Sequence, residues 1–179
     1  RYSLNIPFLD AVNGATKRLT LPDGNTLDVK IPAGHRDGQV LRLKGKGMPG
    51  LGGGAAGDAY VEIRVDPHPS FRRRGNDILI DLPVGIHEAV LGAKVSVPTV
   101  HGNVTMTVPP GANSGDTLRL KGKGVPKSAG RAAGDQLVTL SVVMPATPDD
   151  ELTAFLSTWA ESHAYDPRSA RKGATHDAR

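Results

Sequence analysis

The sequence predicts a mainly β fold: two tandem homologous small β-sandwich domains with short helices, followed by a C-terminal amphipathic helix. Three observations predict it. Glycine and proline together supply 36 of the 179 residues, which favours short strands and turns over long helices. Sliding the chain against itself by 77 positions lays residues 31–67 on 108–144 without a gap, and 18 of those 37 positions are identical, the mark of an internal repeat. Apolar and polar residues alternate in short runs until about residue 147, after which the apolar spacing becomes helical.

The repeat divides the chain into a first β-domain at 1–75, a second at 76–146, and a C-terminal segment at 147–179. With one extra residue in the second copy, "AVNGA" at 11–15 falls on "AVLGA" at 89–93. In the first unit the strand pattern covers 2–6 and 17–21, then Leu27–Ile31, Leu41–Leu43 and Val61–Val65. The second repeats it at Val95–Val97, Val104–Val108, Leu118–Leu120 and Leu140–Val142. Asp23-Gly24 and His101-Gly102 stand between paired runs as hairpin turns, where glycine supplies a positive φ. One short helix fits each unit, at Phe8–Asn13 and Ile86–Leu91, ended by Gly14 and Gly92. The pattern suggests mainly antiparallel sheets.

The last segment opens on Thr147-Pro148-Asp149-Asp150, read as an N-cap, a proline at the first helical position and acids in the first turn. Leu152, Phe155, Leu156 and Trp159 then share one helical face. "DPRSARKGATHDAR" has no periodicity and reads as a polar tail.

Composition excludes several classes. There is no cysteine, hence no disulfide, thiolate zinc site or cysteine nucleophile, in keeping with a reducing compartment. No apolar run approaches the roughly 20 residues that span a bilayer. The opening "RYSLNIPFLD" has neither Met nor a signal-peptide pattern and reads as an excised fragment. A net charge of +4 permits acidic partners without demanding nucleic acid.

The motif "LRLKGKG" occurs at 41–47 and again at 118–124. Its first copy runs on into a G-x-G-x-x-G match, but Pro49 and "GLGGGAAG" cannot propagate the helix that a dinucleotide site needs, and the second copy has Lys127 in place of the third glycine. A hairpin loop is the better reading. The six histidines, His35, His68, His87, His101, His163 and His176, lack metal-ligand spacing. No nucleophile elbow is present, so no catalytic residue, metal or cofactor is assigned. Arg72-Arg73-Arg74 with Lys44, Lys46, Lys121 and Lys123 could form a basic surface for nucleic acid; an ordinary solvated loop is the simpler reading. Leu4 and Ile6 share one strand face, as do Leu19 and Leu21, with Lys17 ahead of them. Those faces suit either a buried core or an open groove that takes extended peptide.

"GDAYVEIRVDPHPSFRRRGNDILIDLPVGIHEAVLGAKVSVPTVHGNVTMTVPPG" at 57–111 and "LRLKGKGVP" at 118–126 resemble the C-terminal client-binding region of DnaJ-type co-chaperones. HPxFxRxGxD at 68–77 followed by E-A-x-L-G at 88–92 carries the resemblance, which covers roughly residues 3–145. The CxxCxGxG repeats of the zinc-containing class are absent, as is an HPD tripeptide, so the chain resembles the zinc-less class that includes the curved-DNA-binding relatives. The resemblance implies a client-binding groove lined by Leu4, Ile6, Leu19, Leu21 and Val61 with Lys17 at its rim. It further implies unfolded polypeptide and a DnaK-type chaperone as partners, a homodimer formed through Leu152, Phe155, Leu156 and Trp159, and a cytoplasmic setting. Non-specific DNA binding is the alternative function.

Overall fold

A computed structural model describes residues 1–170; His176 and the end of the polar tail lie outside the described residues. The chain divides into two compact units, residues 1–143 and 144–179. The first contains β1 (Tyr2–Ile6), α1 (Phe8–Asn13), β2 (Ala15–Thr20), β3 (Thr26–Ile31), β4 (Val40–Leu43) and β5 (Ala59–Val65). It continues through β6 (Arg72–Arg74), β7 (Asp77–Gly85), α2 (Ile86–Leu91), β8 (Ala93–Thr99), β9 (Gly102–Val108), β10 (Thr117–Leu120) and β11 (Gln136–Val143).

The two copies build the same object with the same register. A sheet ordered β1-β5-β4 stands beside the hairpin β2-β3, and a sheet ordered β10-β11-β7-β6 stands beside the hairpin β8-β9. Tyr2 pairs with Val61 as Ile80 pairs with Val138, and Leu19 pairs with Leu27 as Val97 pairs with Val104. The sheets are mixed: β1–β5 and β7–β11 run parallel, while all other strand pairs are antiparallel. Alternation along a strand sets which face is buried but not the direction of its neighbour, so the long crossover from β1 to β5 left no local trace.

Both short helices occupy the spans the sequence predicts. They end at Gly14 (φ 80°, ψ 151°) and Gly92 (φ 77°, ψ 155°), a region open essentially to glycine alone. Glu88 reaches back to accept from the amide of Gly85 at 2.9 Å, half of a capping box.

Arg72-Arg73-Arg74 is not a solvated loop. It forms β6, paired antiparallel with the start of β7. Arg72, exposed, lies 3.1 Å from Asp81, Arg73 is half-buried, and Arg74 is exposed. Three consecutive arginines hide this strand from sequence reading, because their polarity masks the alternation while their aliphatic stems can still lie along a sheet.

The repeated LRLKGKG motif now has a structural cause. In each copy the arginine of the strand pairs with the aspartate that opens the returning strand, Arg42 with Asp58 and Arg119 with Asp135. The other oxygen of each aspartate accepts from the turn amide of Gly45 or Gly122 at 2.9 and 2.8 Å. Two glycine amides close the loop neck, Gly47 to the Gly57 carbonyl at 2.7 Å and Gly124 to that of Gly134 at 2.9 Å. It is a stapled hairpin loop with every anchoring donor turned inward.

Apolar packing forms two clusters. One gathers Ile6, Ala11, Leu27, Val29, Ile31, Val61 and Ile63 within the first copy. The other belongs mostly to the second copy but also takes Phe8 and Val12 from α1. Helix α1 is therefore buried on both sides. Val12 is 1% exposed, whereas its counterpart on α2, Val90, is 61% exposed. Asn13 adds a polar tie, donating to the Val100 carbonyl at 2.7 Å.

In the second unit, α3 spans Asp150–His163 and is followed by a short α4 at Pro167–Ala170. The cap of α3 is Asp149, whose side chain accepts from the Leu152 amide at 2.7 Å. Thr147 does not serve, because the helix begins two residues later than the proline suggested. Among the described residues no helix is long and apolar enough to cross a membrane.

Candidate functional site

Strand β1 uses one edge to pair with β5, and among the described residues no strand occupies its other edge. Its inward face presents Tyr2, Leu4 and Ile6 at a period of two. Ile6 and Val61 are fully buried and form the floor of the first cluster, while Leu4 and Leu19 are only half-buried and pack against it from above. The structure thus brings together four of the residues the sequence nominates: Leu4, Ile6, Leu19 and Val61.

Leu21 stands apart. It lies one residue beyond the end of β2, where its amide donates to the Asn25 carbonyl at 2.8 Å and its carbonyl accepts from Gly24. Four further residues that the sequence reading did not assign to the groove pack on the same cluster: Tyr2, Leu41, Leu43 and Val65. Tyr2 was legible as the next member of the Leu4 and Ile6 face.

Lys17 stands on β2 with its ammonium 2.5 Å from a carboxylate oxygen of Asp10 on α1. Both side chains keep about a third of their surface in solvent (38% and 30%), so the pair adds little to stability. It does hold a cation beside the half-exposed Leu19.

The second copy does not reproduce this arrangement. The counterpart of Lys17 is Val95, and the counterpart of Leu19 is Val97, which is fully buried. Leu21 corresponds to Thr99, whose hydroxyl donates to the Gly102 carbonyl at 2.6 Å. The two copies therefore differ at two positions, where copy one keeps a half-buried leucine behind a cation and copy two has a buried valine behind an apolar residue. Leu82, the counterpart of Leu4, is half-buried like Leu4 itself.

The segment HPSFRRRGND serves architecture. His68 Nδ1 accepts from the amides of Ser70 and Phe71 at 3.0 and 3.2 Å. Phe71 stacks near Phe8, with ring centroids 6.4 Å apart. Arg73 donates to the carbonyls of Gly34, His35 and Gly75 at 2.8–3.0 Å, and Asp77 accepts from the Asp135 amide at 2.8 Å. Because β6 pairs with β7 of the second copy's sheet, the contacts of Phe71 with Phe8 and of Arg73 with Gly34 and His35 tie α1 and the loop after β3 to that sheet. The His68 and Asp77 contacts are local to their own copies.

On α3, Phe155 is 62% and Trp159 38% exposed, while Leu152 and Leu156 are half-buried. Trp159 stacks on His163 with ring centroids 5.1 Å apart. No residue of this helix is fully buried within its own unit.

The family model described as DnaJ C terminal domain matches residues 1–145. Among curated proteins, a "Curved DNA-binding protein" of Coxiella burnetii is 41% identical over 183 residues, covering 95% of this chain and 58% of that protein. A "Curved DNA-binding protein" of Pseudomonas syringae pv. tomato is 46% identical over 148 residues, covering 83% of this chain and 47% of the relative. A "Chaperone protein DnaJ" of Ruminiclostridium cellulolyticum is 40% identical over 181 residues, with 95% and 48% covered. The chain spans about half the length of the curated relatives it matches.

Proposed function

Because the chain belongs to the DnaJ C-terminal domain family, we propose that it is a client-binding module, holding unfolded polypeptide in the first-domain groove for transfer to a DnaK-type chaperone. The observation that carries this reading is the difference between the copies at one position: Leu19 stays half-buried beside the Lys17 cation, whereas its counterpart Val97 is sealed into the second core. A client strand would lie along the open strand edge and lower apolar side chains onto that strip. Each Leu-sized side chain fully buried gains about 1.5–3 kcal/mol before ordering costs, so single contacts bind weakly and release readily. The reading involves binding and release alone, with no bond made or broken, and assigns no cofactor.

A homodimer through Leu152, Phe155, Leu156 and Trp159 belongs to the same proposal, since two grooves acting on one client would raise avidity. A cytoplasmic setting, where unfolded chains and a DnaK-type chaperone meet, completes it.

Measuring suppression of aggregation of a denatured client tests the groove. Leu19→Ser lowers suppression while Val90→Ser, an exposed site on the second copy, leaves it intact. A Leu19→Ser protein of normal fold and full activity would exclude the groove.

The names of several relatives support a second reading, binding to duplex DNA without sequence preference. Such binding falls steeply with salt. A gel-shift series at rising salt with this chain distinguishes it, and no shift at low salt dismisses it.

A further inference from the structure

The loop between β4 and β5 keeps two apolar side chains in water. Met48 is 82% exposed and Leu51 fully so, on the segment MPGLGGGAAG at 48–57. The neck beneath them is closed, with the Gly57 amide donating to the Met48 carbonyl at 3.0 Å and the Gly47 amide to the Gly57 carbonyl at 2.7 Å. The tip is unencumbered. Gly52 and Gly53 take φ of 68° and 82°, and a Cβ on either would meet nothing within 4 Å.

The second copy shows that this loop folds without an apolar tip. Its loop has the same length, with VPKSAGR at 125–131 in place of MPGLGGG at 48–54. Val125, the counterpart of Met48, is 3% exposed and belongs to the second cluster. Ser128, the counterpart of Leu51, exchanges two backbone hydrogen bonds with Arg131, at 2.9 and 3.2 Å. Where copy two has lysine, serine and arginine, copy one has leucine and glycines. Two neighbouring apolar side chains on a glycine tip gain nothing from the fold, and their burial has to come from something outside it.

Strand register sets this loop at one end of the Leu4 and Leu19 strip. Val61 lies between Tyr2 on β1 and Leu41 on β4, and two residues along the ladder Leu43 pairs with Ala59. From there the chain leaves β4 for the loop, at the end of the sheet where β1 begins. Tyr2, Leu41 and Leu43 pack on the same cluster as Leu4 and Leu19, so the apolar row continues from the strip to the loop neck. A strand added along the open edge of β1 lies two strand spacings, about 10 Å, from β5. Residues 49–56 doubled back on themselves reach about 13 Å, enough to set Leu51 over that added strand.

We propose that the loop at 48–57 is an apolar clamp on the bound polypeptide, in which Met48 and Leu51 close over a client side chain just beyond the Tyr2 end of the strip. The proposal rests on the groove reading and adds to it a second contact and a source of breadth. A thioether on an unbranched stem adapts to irregular shapes. Glycines let the tip settle differently on different sequences, as suits a site that takes many partners. Ordering the tip costs conformational freedom, so the clamp closes weakly and reopens readily.

Methyl NMR reads the clamp directly, because the chain has three methionines and Met106, buried in the second copy, is an internal control. The probe is a short peptide of leucines alternating with serines, with a longer version that carries one further leucine at each end. The longer peptide shifts the Met48 methyl signal, leaves that of Met106 in place, and binds more tightly than the short one by fluorescence anisotropy. The double variant Met48→Ser/Leu51→Ser, both exposed sites, weakens the longer peptide by about tenfold, or about 1.4 kcal/mol, and leaves the short one unchanged. Leu19→Ser weakens both. An unmoved Met48 signal at saturation, or undiminished binding of the longer peptide by the double variant, would overturn the clamp and leave the groove standing. So would a Met48 signal that shifts when the protein alone is concentrated, the mark of contact with a second copy. Parental binding of both peptides by Leu19→Ser would remove the groove, and the clamp with it.

Discussion

Arg42 lies 2.6 Å from Asp58 across the neck of its hairpin loop, and Arg119 repeats the contact with Asp135 at 2.6 Å. Each aspartate also accepts from a turn amide, Gly45 or Gly122. These two contacts, the amide first and the guanidinium second, hold both carboxyls below the usual aspartate range. A carboxyl depressed in the folded state stabilises the fold above its unfolded pKa, about 3.9 for aspartate, and loses that contribution as pH falls through the folded value. Both aspartates therefore make the protein acid-sensitive below about pH 4. Thermal unfolding from pH 7 to pH 3 shows a drop in midpoint that is smaller in the Asp58→Asn/Asp135→Asn double variant.

Gly57 and Gly134 occupy the same place in the two copies, yet they tolerate a methyl group differently. A Cβ on Gly134 would collide with the Asn76 carbonyl, whereas one on Gly57 meets nothing nearer than 3.9 Å. Gly134→Ala costs about 3 kcal/mol or more, the scale of severe backbone overpacking, while Gly57→Ala stays within about 1 kcal/mol of the parent. Chemical denaturation of the two variants side by side checks the contrast.

Phe8 belongs to the first copy by sequence but packs in the second copy's cluster, next to Phe71. Phe8→Ala costs about 3–5 kcal/mol. Because that residue sits at the joint, its loss also separates the unfolding of the two copies. Urea titration followed by probes in each copy resolves two transitions in the variant and coincident ones in the parent.

Leu19 and Leu21 diverge in effect. Leu19 packs on the first cluster, and Leu21 sits in the turn beyond β2. In the aggregation assay Leu19→Ser loses most of its protective activity and Leu21→Ser a minor part.

The apolar face of α3 gives a test of association. An isolated helix of this length is marginal in water, and Phe155 and Trp159 lie open within their own unit. Removing residues 147–179 halves the solution mass per particle, measured by light scattering. An unchanged ratio of mass to protomer defeats the dimer.

Sequence alone determined the duplication, both short helices to the residue, and the strand faces that bury Ile6, Val29, Val61 and their counterparts. Those features are local: a side-chain period of two or 3.6, and a glycine where the backbone needs positive φ, are written in consecutive residues. Alternation also put Leu4 with Ile6 and Leu19 with Leu21 on shared strand faces, and the resemblance to the DnaJ family, not the periodicity, joined them with Val61 as a groove lining. Only the tertiary structure decided that Leu19 stays half-buried while Val97 is fully buried, since the two look equally apolar in the chain. The same holds for the joint. That Arg73 ties down the carbonyls of Gly34 and His35, and that Arg36 and Arg131 arrive beside it, depends on docking between segments dozens of residues apart. No periodicity encodes such a meeting, because it is fixed by the packing of Phe8, Val12 and Phe71 rather than by any neighbour in sequence.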